Sequence, residues 1–511
     1  MLKKEELNRK MKTVRRKVFI TIISLIVLNF TFGGEIYAQA SGSFFMLPEN
    51  FNSQMLNPSY MRTDDATVFT VVGFGGATIG NSSNFNLSDI LYKTDEGAIG
   101  FDFDKLYSGK DSKYLINNWS TVPAIFIDIP YANGRLSFSY REKIESSLSF
   151  SLTRKNFEKD VNSPATFKSY YSDNIKLSGI GYHDIAVGYA TQITENISVG
   201  VRGRILFGAV LSEIDDWNYG IDYTEKGDQI ELRHKGTGKI ELPVTFYLNE
   251  DDRVLAVNSE HIIRNYFGNF HNPGIGIDLG ATVKLTEKSW MSVSATDIGV
   301  IWFRHNAMDI QQDTSFVFET YEDIHDYIGF DDNGEAYVDP YELIVQTKDE
   351  HSYLYQPLVD TIKTGQGLFP KIALHFQHDL YSNLSFSFTN QSAFYKQSFL
   401  NILTFSTLQK AGDFTFFQNI NMYGTNSFTF GAGMQWEGRY VQMFAVTDNV
   451  EAVFSTTHNK SFSMSVGIAF LLNKPNEPKP ERKKSPKGSS SKRKKSRGRV
   501  SPYLPFYKIK R

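Results

Sequence analysis

The sequence predicts an all-β protein whose antiparallel strands close into a transmembrane β-barrel of about 14 strands, with about 16 as the alternative. Three observations predict this fold. Large apolar residues alternate with small or polar ones, the alternating segments are long enough to cross a bilayer, and short turns alternate with much longer polar connections.

The alternation has a period of two over most of residues 67 to 472, as in Ser461–Phe470 and Leu384–Phe388. Successive strand side chains point to opposite faces, so each segment has one apolar face and one face of small or polar residues. A soluble β-sandwich also alternates, so the period alone does not identify the surrounding solvent.

Segment length and turn pattern favour a membrane. A tilted strand crosses a bilayer in about 9–11 residues, whereas strands of globular proteins average about 5–6. Short turns at 194–196, 286–288 and 381–383 are separated by long polar connections, an asymmetry typical of bacterial outer-membrane barrels. Since hydrocarbon offers the backbone no hydrogen-bond partners, the strands must close into a ring.

Candidate spanning segments outnumber the expected strands slightly. They are 67–79, 121–130, 134–142, 145–153, 181–192, 195–212, 228–247, 273–286, 289–304, 369–380, 382–391, 398–410, 412–423, 425–436, 438–448 and 460–472. Some of these sixteen segments are expected to be hairpins of outer loops, which leaves 14 as the preferred number.

The N-terminus has the pattern of a secretory signal peptide. Basic residues precede the apolar run Val18–Phe32, which is followed by Ala38-Gln39-Ala40. This arrangement predicts cleavage after Ala40, with residues 1–40 as signal peptide; an uncleaved membrane anchor is the alternative. The mature chain is therefore expected in the outer membrane of a two-membrane bacterium.

Residues 41–66 are predicted to form a lumenal hatch. They lack long alternation, are too polar to face lipid, and contain the turn-favouring pair Asn57-Pro58. Asn57, Pro58 and Tyr60 are the candidate ligand-binding or hatch residues. A flexible lead into the first strand is the alternative. The sequence of residues 84–118 predicts short helices in a connection between spanning strands.

Several stretches resemble a known group of outer-membrane barrels. Phe44–Leu47 and Leu56–Tyr60 are similar to the N-terminal opening of the FadL-type fatty-acid transporters and the PorV-type secretion barrels. Within that group, residues 188–190, 199–203, 274–281 and 295–302 look like one family of unknown function. The resemblance implies 14 strands and an N-terminal segment that partly fills the lumen. It implies no reaction chemistry.

Glycines inside the spanning segments have two interpretations. The resemblance to FadL-type barrels makes them candidates for an opening in the wall, whereas small residues also relieve crowding in a lumen or permit bulges. The second interpretation is preferred. The positions are Gly188, Gly200, Gly276, Gly280 and Gly431.

No pattern in the chain indicates an enzyme, a cofactor or a metal. The sequence contains no Cys, which excludes disulfide scaffolds and thiolate metal centres. An EF-hand register around Gly334 would put Gly329 and Pro340 where carboxylates are needed. His375 and His378 do not share a strand face. Nucleophile-elbow, Walker A and zincin motifs do not occur.

Charge is distributed unevenly around a formal net charge of −2. Residues 41–472 hold 31 basic and 51 acidic residues, whereas residues 473–511 hold 15 basic and two acidic ones. This composition predicts a disordered basic tail in the periplasm. Nucleic acid is not an expected partner of an exported barrel. The candidate partner-docking residues of the tail are Arg482, Lys483, Lys484, Lys492, Arg493, Lys494, Lys495, Tyr503, Phe506 and Tyr507.

Two functions are consistent with the sequence. The acidic loops and basic tail favour a noncatalytic structural or accessory subunit of a cell-envelope assembly or secretion complex, with outer-membrane lipid and an envelope protein as partners. The alternative is a FadL-like conduit for a hydrophobic small molecule. A continuous lumenal path would favour the conduit, and a filled lumen with a stable partner would favour the subunit.

Overall fold

The structure is a computed structural model. It describes residues 42–71, 75–86, 91–93, 99–101, 112–157, 167–223, 229–318, 328–330, 336–338, 356–396, 398–423, 427–454 and 459–473. The predicted signal peptide, the tail beyond residue 473 and the acidic residues 331–335 lie outside these ranges.

Four short helices and 25 strands form the described part of the chain. The helices are a 3₁₀ helix (Gly42–Met46), α1 (Phe51–Leu56), α2 (Ile262–Phe267) and α3 (Val450–Phe454). The strands are β1 (Thr67–Phe69), β2 (Ala77–Ser83), β3 (Leu91–Lys93), β4 (Ile99–Phe101), β5 (Ser112–Tyr131), β6 (Gly134–Phe157), β7 (Phe167–Thr194), β8 (Ile197–Tyr223), β9 (Ile230–Glu241), β10 (Thr245–Leu248), β11 (Val254–Asn258), β12 (Asn272–Lys284), β13 (Ser289–Phe303), β14 (Met308–Phe318), β15 (Ile328–Phe330), β16 (Ala336–Val338), β17 (Leu358–Thr361), β18 (Thr364–Gly367), β19 (Lys371–Tyr381), β20 (Leu384–Phe394), β21 (Phe399–Ala411), β22 (Phe414–Tyr423), β23 (Ser427–Glu437), β24 (Val441–Thr447) and β25 (Ser461–Leu472).

Fourteen strand positions form a closed antiparallel ring among the described residues, which confirms the predicted fold. β1 and β2 together occupy the first position, and β5–β8, β12, β13 and β19–β25 follow in ring order. β25 pairs with both halves of the first position, as in Thr67↔Leu472 and Ala77↔Val466, and so closes the ring. Every backbone edge of the wall is thereby paired, as a membrane-spanning sheet requires.

The sixteen candidate segments reduce to fourteen for two reasons. Segments 134–142 and 145–153 are one continuous strand, β6. Segment 228–247 falls mainly on β9, which pairs with β8 and β14 instead of joining the ring.

The two faces of the wall differ as the alternation predicts. On β8, Val201 and Ile205 are 44% and 55% exposed and point outward, whereas Arg202 and Arg204 are buried and point into the lumen. Exposed aliphatic side chains on one face of a closed ring match the hydrocarbon of a bilayer. The wall is therefore a transmembrane barrel whose outer face is apolar.

The two ends of the ring are unequal. The predicted turns at 194–196, 286–288 and 381–383 lie at one end, here called the short-turn end, where β1 begins and β25 also ends. At the other end β6, β7 and β8 are 24, 28 and 27 residues long and continue past the ring. These extensions carry β9, β14 and β17 as an outer sheet.

The prediction of short helices within residues 84–118 was wrong where the structure describes this stretch. Leu91 pairs with Phe101 in the β3–β4 ladder, and residues 112–118 are the start of β5. Pairing with a neighbouring strand overrides the local pattern of acidic and apolar residues that suggested helices. In the described part of the chain, no helix is both long and apolar enough to span a membrane.

Candidate functional site

Residues 42–66, here called the lumenal segment, lie inside the ring. The Asn50 side chain donates to Gln435 of β23 at 2.8 Å, and the Tyr60 hydroxyl lies 2.9 Å from the hydroxyl of Ser292 on β13. The Phe44 ring contacts Phe444 of β24 edge-on, with centroids 5.1 Å apart. One segment can reach strands on different sides of a closed ring only from within it.

The three predicted hatch residues come together in one turn of this segment. The Asn57 carboxamide oxygen accepts hydrogen bonds from the backbone N–H of Ser59 at 3.0 Å and from its hydroxyl at 2.7 Å. This local pattern fixes a turn around Pro58. Tyr60 is buried beneath it, edge-on to Trp290 at 5.8 Å.

Two of the candidate glycines make room for this turn. A Cβ on Gly200 would lie 2.1 Å from the carbonyl oxygen of Pro58, and one on Gly280 would lie 2.1 Å from the side-chain oxygen of Asn57. The ladders continue through both positions, where Gly280 pairs with Gly200. The structure therefore places these glycines at a close approach in the lumen and not at a break in the wall.

A belt of charged side chains covers the lumenal side of six neighbouring ring strands, β6, β7, β8, β12, β13 and β19. Here called the charged belt, it consists of the five cations Arg141, Lys143, Arg202, Arg204 and Lys371 and the four carboxylates Glu145, Asp184, Asp278 and Asp297.

Asp297 and Arg204 form the centre of the charged belt. The Asp297 carboxylate accepts from Lys143 Nζ at 2.8 Å, from Lys371 Nζ at 2.9 Å and from Arg204 Nη1 at 2.6 Å. Arg204 also donates to Asp184 at 3.0 Å and to Asp278 at 3.2 Å. Buried charges are tolerated when they are paired in this way, because each ion replaces the hydration of the next.

Arg202 connects the charged belt to the lumenal segment. Its Nε lies 3.3 Å from the Asp278 carboxylate, and its Nη2 donates to the backbone carbonyls of Gln54 at 2.8 Å and Met55 at 3.0 Å. These two carbonyls belong to the last turn of α1, where carbonyl groups have no partner within the helix. A wall cation thus holds the end of the helix in place.

The charged belt was not predicted from the sequence. Its only local signal is charge at every second residue, as in Arg141, Lys143 and Glu145 on β6 and in Arg202 and Arg204 on β8. That spacing indicates that the charged side chains of one strand share a face, but it does not show which carboxylates of other strands pair with them.

An apolar cluster occupies the opposite half of the ring. Apolar side chains of the lumenal segment pack there against inward residues of β1, β5, β21, β22, β24 and β25. The cluster consists of Phe44, Met46, Leu47, Phe51 and Met55 from the segment and Val68, Phe126, Leu408, Phe417, Phe444, Val446, Ala469 and Leu471 from the wall. The lumen therefore has a charged half and an apolar half, and the segment lies between them.

Two cavities adjoin the lumenal segment. A cavity of about 570 Å³ opens at the short-turn end between residues 59–65 of the segment and the wall turns near Asn133 and Glu287. A second cavity of about 80 Å³ lies between Phe44, Met55 and the charged belt. The first has the size of a small-molecule site, whereas the second has room for a few water molecules.

Comparison with known families gives one match. The family of unknown function DUF5723 matches residues 61–448. The chain belongs to this family. The DUF5723 match contains all nine residues of the charged belt but excludes most of the lumenal segment and the whole basic tail. The resemblance to a family of unknown function is thereby confirmed.

Among solved structures, this DUF5723 chain is similar to several proteins at very low identity. The toluene transporter TbuX of Ralstonia pickettii is 8% identical, with 83% of this chain and 94% of that chain covered and a TM-score of 0.37. A FadL homologue of Pseudomonas aeruginosa is 9% identical, with 86% and 98% covered and a TM-score of 0.38. The toluene transporter TodX of Pseudomonas putida is 9% identical, with 86% and 94% covered and a TM-score of 0.33. No curated protein matches the chain.

The remaining predicted site residues, those of the tail, lie outside the described ranges. The ten docking residues of the tail, Arg482 to Tyr507, are outside the described residues. His375 points into the lumen, stacks on Phe45 at 5.9 Å and hydrogen-bonds Thr389, whereas His378 points outward. Among the described residues, no three His, Asp or Glu side chains cluster as metal ligands would.

Proposed function

We propose that this protein is a noncatalytic barrel of the outer membrane that passes a small hydrophobic molecule, and that the lumenal segment closes the passage. The observation that carries the proposal is that the ring is complete without the segment. All fourteen positions pair with one another, and residues 42–66 contain no strand that pairs with the wall. The segment can therefore move without breaking the ladder that spans the membrane.

The lumen suits an apolar cargo on one side. The apolar half of the ring would offer a continuous surface to such a molecule once Phe44 and Phe51 moved away. The cavity of about 570 Å³ at the short-turn end gives space beside the segment for a ligand of small-molecule size. The resemblance to FadL-type barrels supports the same function.

The short-turn end is assigned to the periplasm in this proposal. Short periplasmic turns and longer outer loops are the rule for outer-membrane barrels. The chain enters the ring at Thr67 and leaves it at Leu472, both at that end. The basic residues 473–511 would then begin in the periplasm.

The accessory-subunit function remains the second candidate, and one observation favours it. In the described structure, only about 80 Å³ is free between the charged belt and the lumenal segment. A permanently filled lumen would serve a structural subunit as well as a closed conduit. Its test is affinity purification in mild detergent with and without residues 473–511, where loss of a specific co-purifying protein on truncation would support it.

The conduit is tested by locking the lumenal segment to the wall. Ser59 and Thr282 have hydroxyl oxygens 2.7 Å apart, and the chain has no Cys, so S59C/T282C introduces one defined disulfide. We expect planar-bilayer conductance that is absent in the oxidised variant and restored by dithiothreitol. The matched control T404C/N421C joins two wall strands whose side chains are hydrogen-bonded at 2.8 Å, and it should conduct in both redox states.

Deletion of residues 42–60 is the complementary test of the conduit. The truncated barrel should conduct continuously, because the ladder of the wall is untouched. A folded truncated barrel that stays silent would contradict the conduit and leave the accessory subunit as the better account.

A further inference from the structure

Residues 259–271, here called the strap, fold back over the outside of the barrel wall. They follow the β10–β11 hairpin, contain α2 and lead into β12. The ring of Phe270 stacks on that of His183 with centroids 4.8 Å apart and contacts Phe207 at 5.2 Å. His183 and Phe207 are outward positions of β7 and β8, since their neighbours Asp184 and Leu206 point into the lumen.

The strap covers a polar patch on the lipid-facing side of the wall. Glu142, an outward residue of β6, lies 2.7 Å from His183 Nδ1 and accepts a hydrogen bond from the Tyr266 hydroxyl at 3.3 Å. The second ring nitrogen of His183 lies 3.1 Å from the backbone carbonyl of Tyr266. A carboxylate and an imidazole facing hydrocarbon would be costly, and the strap supplies both with partners.

The strap exposes four large apolar side chains beside the exposed polar residues Ser259, Glu260, His261, Arg264 and His271. Ile263 is 72% exposed and Phe267 is 53% exposed, and Ile262 and Phe270 are also exposed. A helix that packs on a protein in water normally turns its apolar residues inward, whereas Ile262 and Ile263 are exposed here, and Phe267 and Phe270 stay about half exposed although their rings contact His183. The exposed wall residues Val187 and Ile205 lie on the same outward strand faces as His183 and Phe207, which the strap contacts.

The depth of the strap matches the edge of the membrane. On β8, ten residue steps separate Ile197, at the short-turn end, from the outward residue Phe207. At about 2.5 Å of depth per residue for a tilted strand, that run spans about 25 Å, the height of the apolar band of an outer-membrane barrel. Phe270 contacts Phe207, so the strap lies about one apolar-band height from the short-turn end of the wall.

We propose that the strap is a lipid-interaction surface, with Ile262, Ile263, Phe267 and Phe270 inserted among the acyl chains at the outer boundary of the membrane. The occupant is membrane lipid, because Phe270 contacts Phe207, which shares the outward face of β8 with the lipid-facing residues Val201 and Ile205. The exposed polar residues Glu260, His261, Arg264 and His271 would then lie at the headgroup level. The barrel is thereby anchored in lipid on one side by a non-strand element, independently of whether the lumen conducts.

Site-directed spin labelling tests the proposal on the full-length mature barrel in liposomes. The chain has no Cys, so I263C and F267C each carry a single nitroxide. V187C, on the exposed wall, is the lipid control, and K235C, a side chain 59% exposed on the outer sheet, is the aqueous control. Collision with oxygen reports lipid, and collision with a water-soluble nickel chelate reports water.

We expect the I263C and F267C labels to be several-fold more accessible to oxygen than to the chelate, as at V187C. Accessibility to the chelate equal to that at K235C would overturn the proposal, because the strap would then lie in water. Protection from both reagents would overturn it too, because a protein would then cover the strap. H183A should increase the mobility of the I263C label, since the substitution removes the contacts of His183 that hold the strap.

Discussion

The backbone N–H of Asp297 donates a hydrogen bond to the carboxylate of Asp278 at 2.8 Å, across two neighbouring ring strands. Asp297 has φ +58°, and at this point two residues of β13 oppose Asp278 alone in the register. Such a bulge re-aims side chains, and Asp tolerates the left-handed conformation better than most residues. Here it turns both carboxylates toward Arg204.

The first prediction concerns the centre of the charged belt. D297N keeps the side-chain shape but removes the charge that Lys143, Lys371 and Arg204 share. We expect the free energy of unfolding to fall by about 3 to 5 kcal/mol, since breaking a buried pair leaves uncompensated ions. Urea unfolding in detergent micelles measures it. D313N, which breaks an exposed pair with Lys235, should cost no more than about 1 kcal/mol.

The second prediction concerns the close approach of the wall to the lumenal segment. G200A places a methyl group 2.1 Å from the carbonyl oxygen of Pro58, and overpacking costs about 1 to 3 kcal/mol. We expect hydrogen exchange in residues 50–60 to become about tenfold faster or more while the wall stays protected. G203A is the control, because nothing lies within 4 Å of its added Cβ. Equal effects of the two variants would contradict the assigned contact.

The third prediction concerns the bridge from the charged belt to α1. R202Q removes the cation that donates to the carbonyls of Gln54 and Met55. Hydrogen bonds from charged donors contribute about 1.5 to 3 kcal/mol, so exchange in residues 50–60 should rise about tenfold or more. R233Q, at a half-exposed pair with Glu231 on the outer sheet, should leave that exchange unchanged.

The fourth prediction concerns pH and the end of the strap. Burial raises the pKa of the Glu241 carboxyl to about 7, although hydrogen bonds from Asn269 and Asn272 oppose the rise. The folded state therefore binds more protons than the unfolded state between the ordinary value of 4.5 and about 7. Stability from this group is fully present below pH 4.5 and is lost as pH rises through 7.

Hydrogen exchange in residues 262–272, corrected for intrinsic rates, measures this effect. Protection should be higher at pH 5.5 than at pH 8. E241Q, which cannot ionise, should flatten the difference. A pH dependence that survives in E241Q would assign the effect to another group.

The sequence by itself determined the class of fold and most of the wall. Apolar residues with a period of two, as in Ser461–Phe470, give a strand one apolar face. Strands can place such faces in hydrocarbon only when they close into a ring. The Asn57-Pro58 pair likewise located the turn of the lumenal segment, because its chemistry is local.

The pairing register of the strands could not be predicted from local sequence patterns. Residues 134–142 and 145–153 were predicted as two separate segments, but Arg141–Glu145 continue one strand, β6, with alternate charges in the lumen and Glu142 on the outer face. Segment 228–247 has the alternation of a wall strand, yet it pairs with the part of β8 that extends beyond the ring.

Only the tertiary structure decided which charges meet. Lys143 and Asp297 are 154 residues apart, and Asp297 and Lys371 are 74 apart. Alternation gives the face on which a side chain lies, whereas ring closure, strand register and one bulge give its partners across the lumen. The sequence around each residue does not indicate these long-range contacts, because the local pattern reflects only the strand to which the residue belongs. The partners come together only when the ring closes.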